Sequence, residues 1–393
     1  MRIIFPRMET THFHNAYDGG CKFVQLLGEE LVKKGHEVEI VTTRLRDNPD
    51  LNYAVYNGVK HVFIAPEYTG KRLIPFNMIY KLLFSYHLNN YLKKQKFDIL
   101  HNSEALAYFY MHNKKRERVV FQSWALEPFY GHEASSQTGL KKLYVGWALQ
   151  KPWKYCILNA EAVTADNESQ IPNIVKLGVN KNKIEFIPLG IPFKNIRKLK
   201  NSFKNRRKEC GFDKNDLVLL SVGQIITEKG IEEIIKGFIL IKKKIKNAKL
   251  IMIGKGLLEE KMNRMIQEAS LEKDFVHLKN VPEADLFDYH FSSDVFINGT
   301  HTNYPTISVQ EALATGLPVV SGADLFLIKN GINGYKVGLN NPKGIAMAVI
   351  KMYKDKKVKQ MGNNSIKTVE SADYENVAKL AVEVYKKLLA QKK

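Results

Sequence analysis

A short apolar run, a glycine turn and a helix start with a lysine on it follow one another in Ser221-Val222-Gly223-Gln224-Ile225-Ile226-Thr227-Glu228-Lys229-Gly230. This is the strand–turn–helix unit of an α/β sheet. A glycine turn and helix start at a strand's carboxyl end suit an anionic phosphate. Further on, the stretch opening at Asn303 reads as a loop feeding a helix, with Glu311 in its first turn. It ends in a Gly316-Leu317-Pro318 turn into the apolar Val319-Val320. An acid so placed can accept hydrogen bonds from the two hydroxyls of a ribose. The two stretches together suggest a nucleotide diphosphate held at the carboxyl edge of a parallel sheet.

The same rhythm runs along the chain. Residues 2–6 are a short apolar strand, Tyr17-Asp18-Gly19-Gly20 a turn, and 21–34 helical by spacing, with Phe23, Leu26, Leu27 and Leu31 on one face. Gly35-His36 ends that helix, and 37–42 is the next strand. Further strands are expected at 98–101, 119–123, 162–165 and 184–188. Residues 194–207 are basic and polar without strand signal, so a linker is placed at 194–212. The rhythm restarts with strands at 217–222, 249–253, 295–298 and 319–320, and helices at 230–245, 256–268 and 309–315. The expected domains are 1–193, a nucleotide-binding 213–375, and a C-terminal helix at 376–393 that packs back on the first domain. Two doubly wound Rossmann-like domains of α/β class leave a central cleft between their carboxyl edges, the expected ligand site.

At 393 residues, two domains are the default, and the hydrophobic fraction of 45% is that of a globular chain. Cys21, Cys156 and Cys210 are scattered, with no metal-ligand spacing, and read as reduced thiols of a cytoplasmic protein. The opening residues form a strand, not a signal peptide. No apolar run approaches the roughly 18 residues that cross a bilayer.

The net charge of +20 is unevenly spread. Nucleic acid is disfavoured because no nucleic-acid-binding motif appears. Between Glu67 and Asp98 there is no acid, while Lys71, Arg72, Lys81, Lys93, Lys94 and Lys96 interleave with Phe76, Tyr80, Leu83, Phe84 and Tyr86. A second such stretch holds Lys141, Lys142, Trp147, Lys151, Trp153 and Lys154. Each fits a helix lying on an anionic membrane, at the inner face of the cell membrane, and each fits equally a core-facing helix with a wet basic side.

In order along the chain, these motifs resemble the family 4 glycosyltransferases, also called glycosyl transferases group 1, of the GT-B fold. Tyr17-Asp18-Gly19-Gly20 with the following helix and strand is similar to the family's glycine loop. Val222-Gly223 through Lys229-Gly230, then Ile253-Gly254-Lys255-Gly256, resemble its diphosphate loops. Glu311-Ala312-Leu313-Ala314-Thr315-Gly316-Leu317-Pro318 resembles its most specific helix. The resemblance implies retaining transfer of a sugar from a nucleotide-diphosphate sugar to a glycan or lipid-linked acceptor, in envelope polysaccharide or glycoconjugate synthesis, with the acceptor bound by the domain 1–193 and the nucleotide sugar by 213–375. No cofactor or metal is expected. The catalytic set implied is Lys229, Asn303 and Glu311, with Gly19, Gly20, Gly223, Gln224 and Gly254 contributing to the donor site. Lys229 would pair with the diphosphate and Glu311 with the ribose.

The sequence departs from the family at three polar positions. Gln224 stands where an arginine is usual, Asn303 where an acid is usual, and Trp124 where a histidine is usual. Asn303 and Gln224 keep hydrogen-bonding capacity without the charge. A second reading follows: a catalytically weakened GT-B subunit that binds a nucleotide sugar or a partner transferase. His101 at a strand end, and His12 and His14 on the first loop, are further candidates, each equally readable as a satisfied structural histidine.

Overall fold

Parallel strands that are apolar on both faces must be covered on both sides, and that need organises this chain. In a computed structural model the fold is described for residues 1–14, 19–66, 74–113, 118–123, 150–301 and 306–391. The chain divides into two compact units. Unit 1 is Met1–Gly190 with Tyr374–Lys393, and unit 2 is Ile191–Asp373.

Unit 1 contains β1 (Arg2–Pro6), β2 (Glu37–Thr43), β3 (Tyr53–Tyr56), β4 (Val59–Ala65), β5 (Ile99–Ser103), β6 (Arg118–Ser123), β7 (Ala162–Ala165) and β8 (Ile184–Phe186). Their order is β3-β4-β2-β1-β5-β6-β7-β8, parallel throughout except for the β3–β4 hairpin. Sequence analysis read neither β3 nor β4. The hairpin turns on Asn57-Gly58, both at positive φ (49° and 79°), as a tight two-residue turn requires. The helix Gly19–Lys33 buries Phe23, Leu27 and Leu31. Against it packs the helix Tyr374–Ala390, which buries Val377, Ala381, Val384, Tyr385 and Leu388 along one stripe.

Unit 2 contains β9 (Leu217–Val222), β10 (Ala248–Ile253), β11 (Phe275–Leu278), β12 (Val295–Asn298), β13 (Val319–Ser321) and β14 (Gly334–Lys336). The order is β11-β10-β9-β12-β13-β14, all parallel. Leu217 and Leu219 of β9 face one core, with the helices Ile231–Lys244 and Pro342–Lys354. Val218 and Leu220 face the other, with the helix Ile307–Thr315. The strand order reverses between β9 and β12, which opens a crevice at their carboxyl ends.

The expected linker at 194–212 is corrected. The helix Phe193–Leu199 buries Phe193 and Ile196 in the core of unit 2, and Phe212 joins them. Two cations of the segment, Arg206 and Arg207, are paired with acids far along the sequence. Arg206 bonds Asp288 at 2.7 Å and Arg207 bonds Asp294 at 2.7 Å. Cys21 and Cys156 are buried free thiols, and Cys210 is a half-buried one.

Candidate active site

The crevice in unit 2 is shaped by backbone meeting backbone. After β9 comes a short turn, Thr227–Lys229, then Gly230 at φ 63°, then the helix Ile231–Lys244. A Cβ on Gly230 would lie 1.9 Å from the carbonyl oxygen of Gly299, in the loop after β12. Likewise Gly254, after β10 at φ 140°, would put a Cβ 1.9 Å from the carbonyl oxygen of Gly223. The loops after three strands therefore close on one another only through glycine. Hydrogen bonds hold the contact: His301 N–H donates to the Glu228 carbonyl at 2.9 Å, and Ile225 N–H to the Lys255 carbonyl at 3.0 Å.

The result is a small pocket lined by Ser221 and Val222 of β9, Gly223, Gln224, Lys229, Asn298 of β12, Thr306 and Ser308 among others. The helix Ile307–Thr315 begins at this pocket. Its N-cap, Thr306, makes no side-chain capping bond; instead Ser308 Oγ donates to Thr306 Oγ1 at 3.3 Å. Among the described lining residues Lys229 is the one cation and there is no carboxylate. A helix start, a lysine, an amide and hydroxyls are groups that can take an anion.

Of the residues expected from the sequence, Gly223, Gln224 and Lys229 meet in the lining, and Gly254 backs Gly223. Glu311 is corrected. The helix starts at Ile307, so Glu311 stands in its second turn and not its first. It is 5% exposed and lies three residues beyond Ser308, on the same helix face. Asn303 and Trp124 lie outside the described residues. Gly19 and Gly20 open the helix Gly19–Lys33 in unit 1, and Gly20 abuts the Arg7 guanidinium.

The three candidate histidines each have a partner within unit 1. His101 is fully buried between Tyr385 and Gln122. Its Nε2 donates to Gln122 Oε1 at 3.3 Å, so its Nδ1 accepts from the Tyr385 hydroxyl at 2.6 Å. Burial pushes its pKa down to about 4 and keeps it neutral. His12 stacks on Tyr56, and His14 Nε2 is bonded to the Thr43 carbonyl at 3.1 Å. Sequence analysis missed Ser221, Asn298, Thr306 and Ser308 as lining residues. Two of them sit in the last residues of strands flanking the switch point, and two at the start of a helix. Among the described residues no group of His, Cys, Asp and Glu is placed to hold a metal.

Two doubly wound parallel units, one with a polar pocket at its switch point, are the components of the GT-B fold. Comparison with known proteins agrees. The description "Glycosyltransferase Family 4" matches residues 17–194, and "Glycosyl transferases group 1" matches 202–368. The chain belongs to this family of glycosyltransferases. It is 26% identical over 379 residues to an uncharacterized glycosyltransferase of Methanocaldococcus jannaschii, covering 92% of each chain. It is 24% identical over 284 residues, 70% of each, to the UDP-Gal:alpha-D-GlcNAc-diphosphoundecaprenol alpha-1,3-galactosyltransferase of Escherichia coli. Among solved structures, sucrose-phosphate synthase from Thermosynechococcus elongatus superposes with a TM-score of 0.78 at 18% identity, covering 99% of each chain.

Proposed function

We propose that the chain moves a hexose from a nucleotide-diphosphate sugar to a glycan or lipid-linked acceptor of polysaccharide or glycoconjugate synthesis, with retention at the anomeric carbon. The observation that carries this reading is the pocket at the β9/β12 switch point, whose described lining holds Lys229 and no acid, beside a helix start with no side-chain cap. As the sugar leaves, negative charge grows on the diphosphate. Lys229 and the first N–H groups of the helix Ile307–Thr315 oppose it in place. Glu311 holds the ribose, and the N–H groups of Gly19 and Gly20 serve phosphate or sugar. The departing phosphate itself guides the acceptor to the same face, so no protein nucleophile and no metal is needed. The relative from Escherichia coli, named for a UDP-galactose donor and a lipid diphosphate acceptor, supports this class of substrates. The test is transfer from UDP-, GDP- and ADP-sugars to a membrane extract, with and without a chelator, and NMR of the product's anomeric configuration. Failure of every donor to shift the melting temperature would remove the reading.

Glu311→Ala is expected to weaken nucleotide binding by about 1.5–3 kcal/mol, the worth of a hydrogen bond to a charged group. Calorimetry giving an unchanged Kd in a folded variant would take the ribose away from Glu311.

A second reading rests on Gln224. It lines the pocket where the family usually has arginine, leaving Lys229 the sole cation of the described lining. A weakened subunit would bind nucleotide without turnover. Asn303→Glu discriminates: an enzyme keeps or gains transfer, whereas a binding subunit stays inert with every donor.

The proposal includes a peripheral position at the cytoplasmic face of a membrane. Among the described residues no helix is long and apolar enough to cross one. On the helix Ile74–Leu92, Leu83 and Tyr86 are 44% and 54% exposed, and Lys93, Lys94 and Lys96 are exposed just beyond it. Lys81 is turned instead to Glu104. Residues 67–73, with Lys71 and Arg72, lie outside the described residues. In the second basic stretch so do 141–149, while Trp153 is buried in the core of unit 1. Each lysine near an anionic surface contributes about 1 kcal/mol, screened by salt. Changing Lys93, Lys94 and Lys96 to glutamate should therefore abolish sedimentation with phosphatidylglycerol vesicles at low salt. Vesicle binding indifferent to that triple change would return the helix to a solvated surface role.

A further inference from the structure

The short turn that carries Lys229 is held at three points. The Lys229 N–H donates to the Ile226 carbonyl at 3.1 Å. The carbonyl of the same peptide plane, that of Glu228, accepts the His301 N–H at 2.9 Å and the Thr300 hydroxyl at 3.3 Å. The plane is thus pinned at both ends, from within the turn and from the loop after β12. The third hold is a side chain. His301 Nε2 lies 3.4 Å from Glu233 Oε2, in the first turn of the helix Ile231–Lys244. This is a charge contact and not a hydrogen bond, and the Nε2 atom is shut off from solvent. Glu228 precedes Lys229 and Glu233 follows it, so one residue grips the chain on either side of the lysine.

Nothing in the local fold demands that third hold. The glycine contacts and backbone bonds already close the loops after β9 and β12 on each other. An acid in a helix's first turn is stabilised there without a partner. Glu232, one residue earlier, shows the ordinary arrangement: it pairs with Lys236 at 3.5 Å on its own helix and Lys261 at 2.6 Å on the helix Glu259–Glu268. Glu233 meets the loop instead, and its pair with His301 is well shielded, with side-chain exposures of 18% and 25%. A shielded pair is screened by salt less than a surface one. A group that must meet charge developing on a leaving diphosphate gains from such a hold, because a misplacement of about 1 Å can cost on the order of 10²-fold in rate.

We infer that His301 is a positioning residue for transfer: paired with Glu233, its imidazole holds the turn Thr227–Lys229 so that the lysine meets the leaving diphosphate. The inference rests on the role given to Lys229 above, and His301 acts through that residue alone.

The test uses the full chain, the nucleotide sugar that the donor panel identifies, and the matching nucleoside diphosphate for calorimetry. His301→Ala should lower turnover about tenfold, the loss of one hold among three, with the nucleotide Kd changed less than about twofold. Glu233→Ala should do the same. It leaves every backbone bond of the loop in place, so it carries the comparison even if His301→Ala folds poorly. His301→Gln keeps an N–H donor toward Glu233 and should recover most of the turnover. Glu232→Ala, which removes a first-turn acid without touching the loop, should leave turnover unchanged. The deciding arm is the double variant: in a Lys229→Ala background, His301→Ala should cost nothing further. Additive losses in the double variant overturn the inference, as do a weakened Kd with turnover intact and a His301→Gln no better than His301→Ala. Lys229→Ala with full turnover would remove the role of the lysine itself. A large effect of Lys229→Ala with none of His301→Ala would remove only the inference drawn here.

Discussion

Lys229→Ala is expected to lower turnover about 10²–10³-fold, the usual cost of removing one preorganised donor to a developing anion. Nucleotide affinity should change far less. The lysine meets a diphosphate whose charge is greatest as the sugar departs, so its contribution is larger in the transition state than in the ground state. No second cation among the described lining residues takes over, because Gln224 is neutral. Single-turnover rates and calorimetric Kd values, measured on the same preparations, separate the two effects. Equal losses in both would make Lys229 a ground-state anchor. Lys229→Arg should recover little, since a planar guanidinium does not reproduce a compact ammonium on a short turn.

Gly230→Ala is expected to destabilise unit 2 by roughly 3 kcal/mol or more. Its φ of 63° costs a side chain strain, and the new Cβ would collide with the Gly299 carbonyl oxygen at 1.9 Å. For a unit of this size each kcal/mol shifts the melting temperature about 2–4 °C, so a drop of about 6–12 °C should appear by calorimetry. Turnover should fall even where the variant is folded, because parting the loops after β9 and β12 moves Lys229 away from Thr306 and Ser308. Gly223→Ala is the control. Its φ of 156° carries strain, but nothing lies within 4 Å of its Cβ, so its loss should be smaller. Equal melting shifts in the two variants would show that backbone collision does not hold this pocket.

The pocket's skeleton was legible because local signals agree there. Apolar β9, the glycines after it and the periodic helix Ile231–Lys244 all point to one strand–turn–helix unit. Glu311 was misplaced by one turn because Thr306 and Ser308 look like loop. Yet a threonine is a common N-cap, and that signal marks the helix start at Ile307. The hairpin carried its own mark in Asn57-Gly58. β11 and β14 had less to offer: they lie at the edges of their sheet and are largely half-buried, so no apolar run announces them. The basic stretch at 194–212 could not be read correctly from its own composition. Asp288 and Asp294, which neutralise Arg206 and Arg207, are more than eighty residues away in sequence.

Unit 1 is assembled from two separated pieces of chain, and this sets an order on its maturation during synthesis. Domains generally complete in the order they leave the ribosome. Here the continuous Ile191–Asp373 unit has all its residues before its predecessor does, because unit 1 waits for the helix Tyr374–Ala390. At about 5–20 residues per second the wait is of order 10–40 s. Throughout it, His101 lacks the Tyr385 hydroxyl, and the apolar face of Gly19–Lys33 lacks its cover. The nascent first unit thus carries uncovered apolar surface for that time, and the unit Ile191–Asp373 is the first part of the protein with all the residues of its final form.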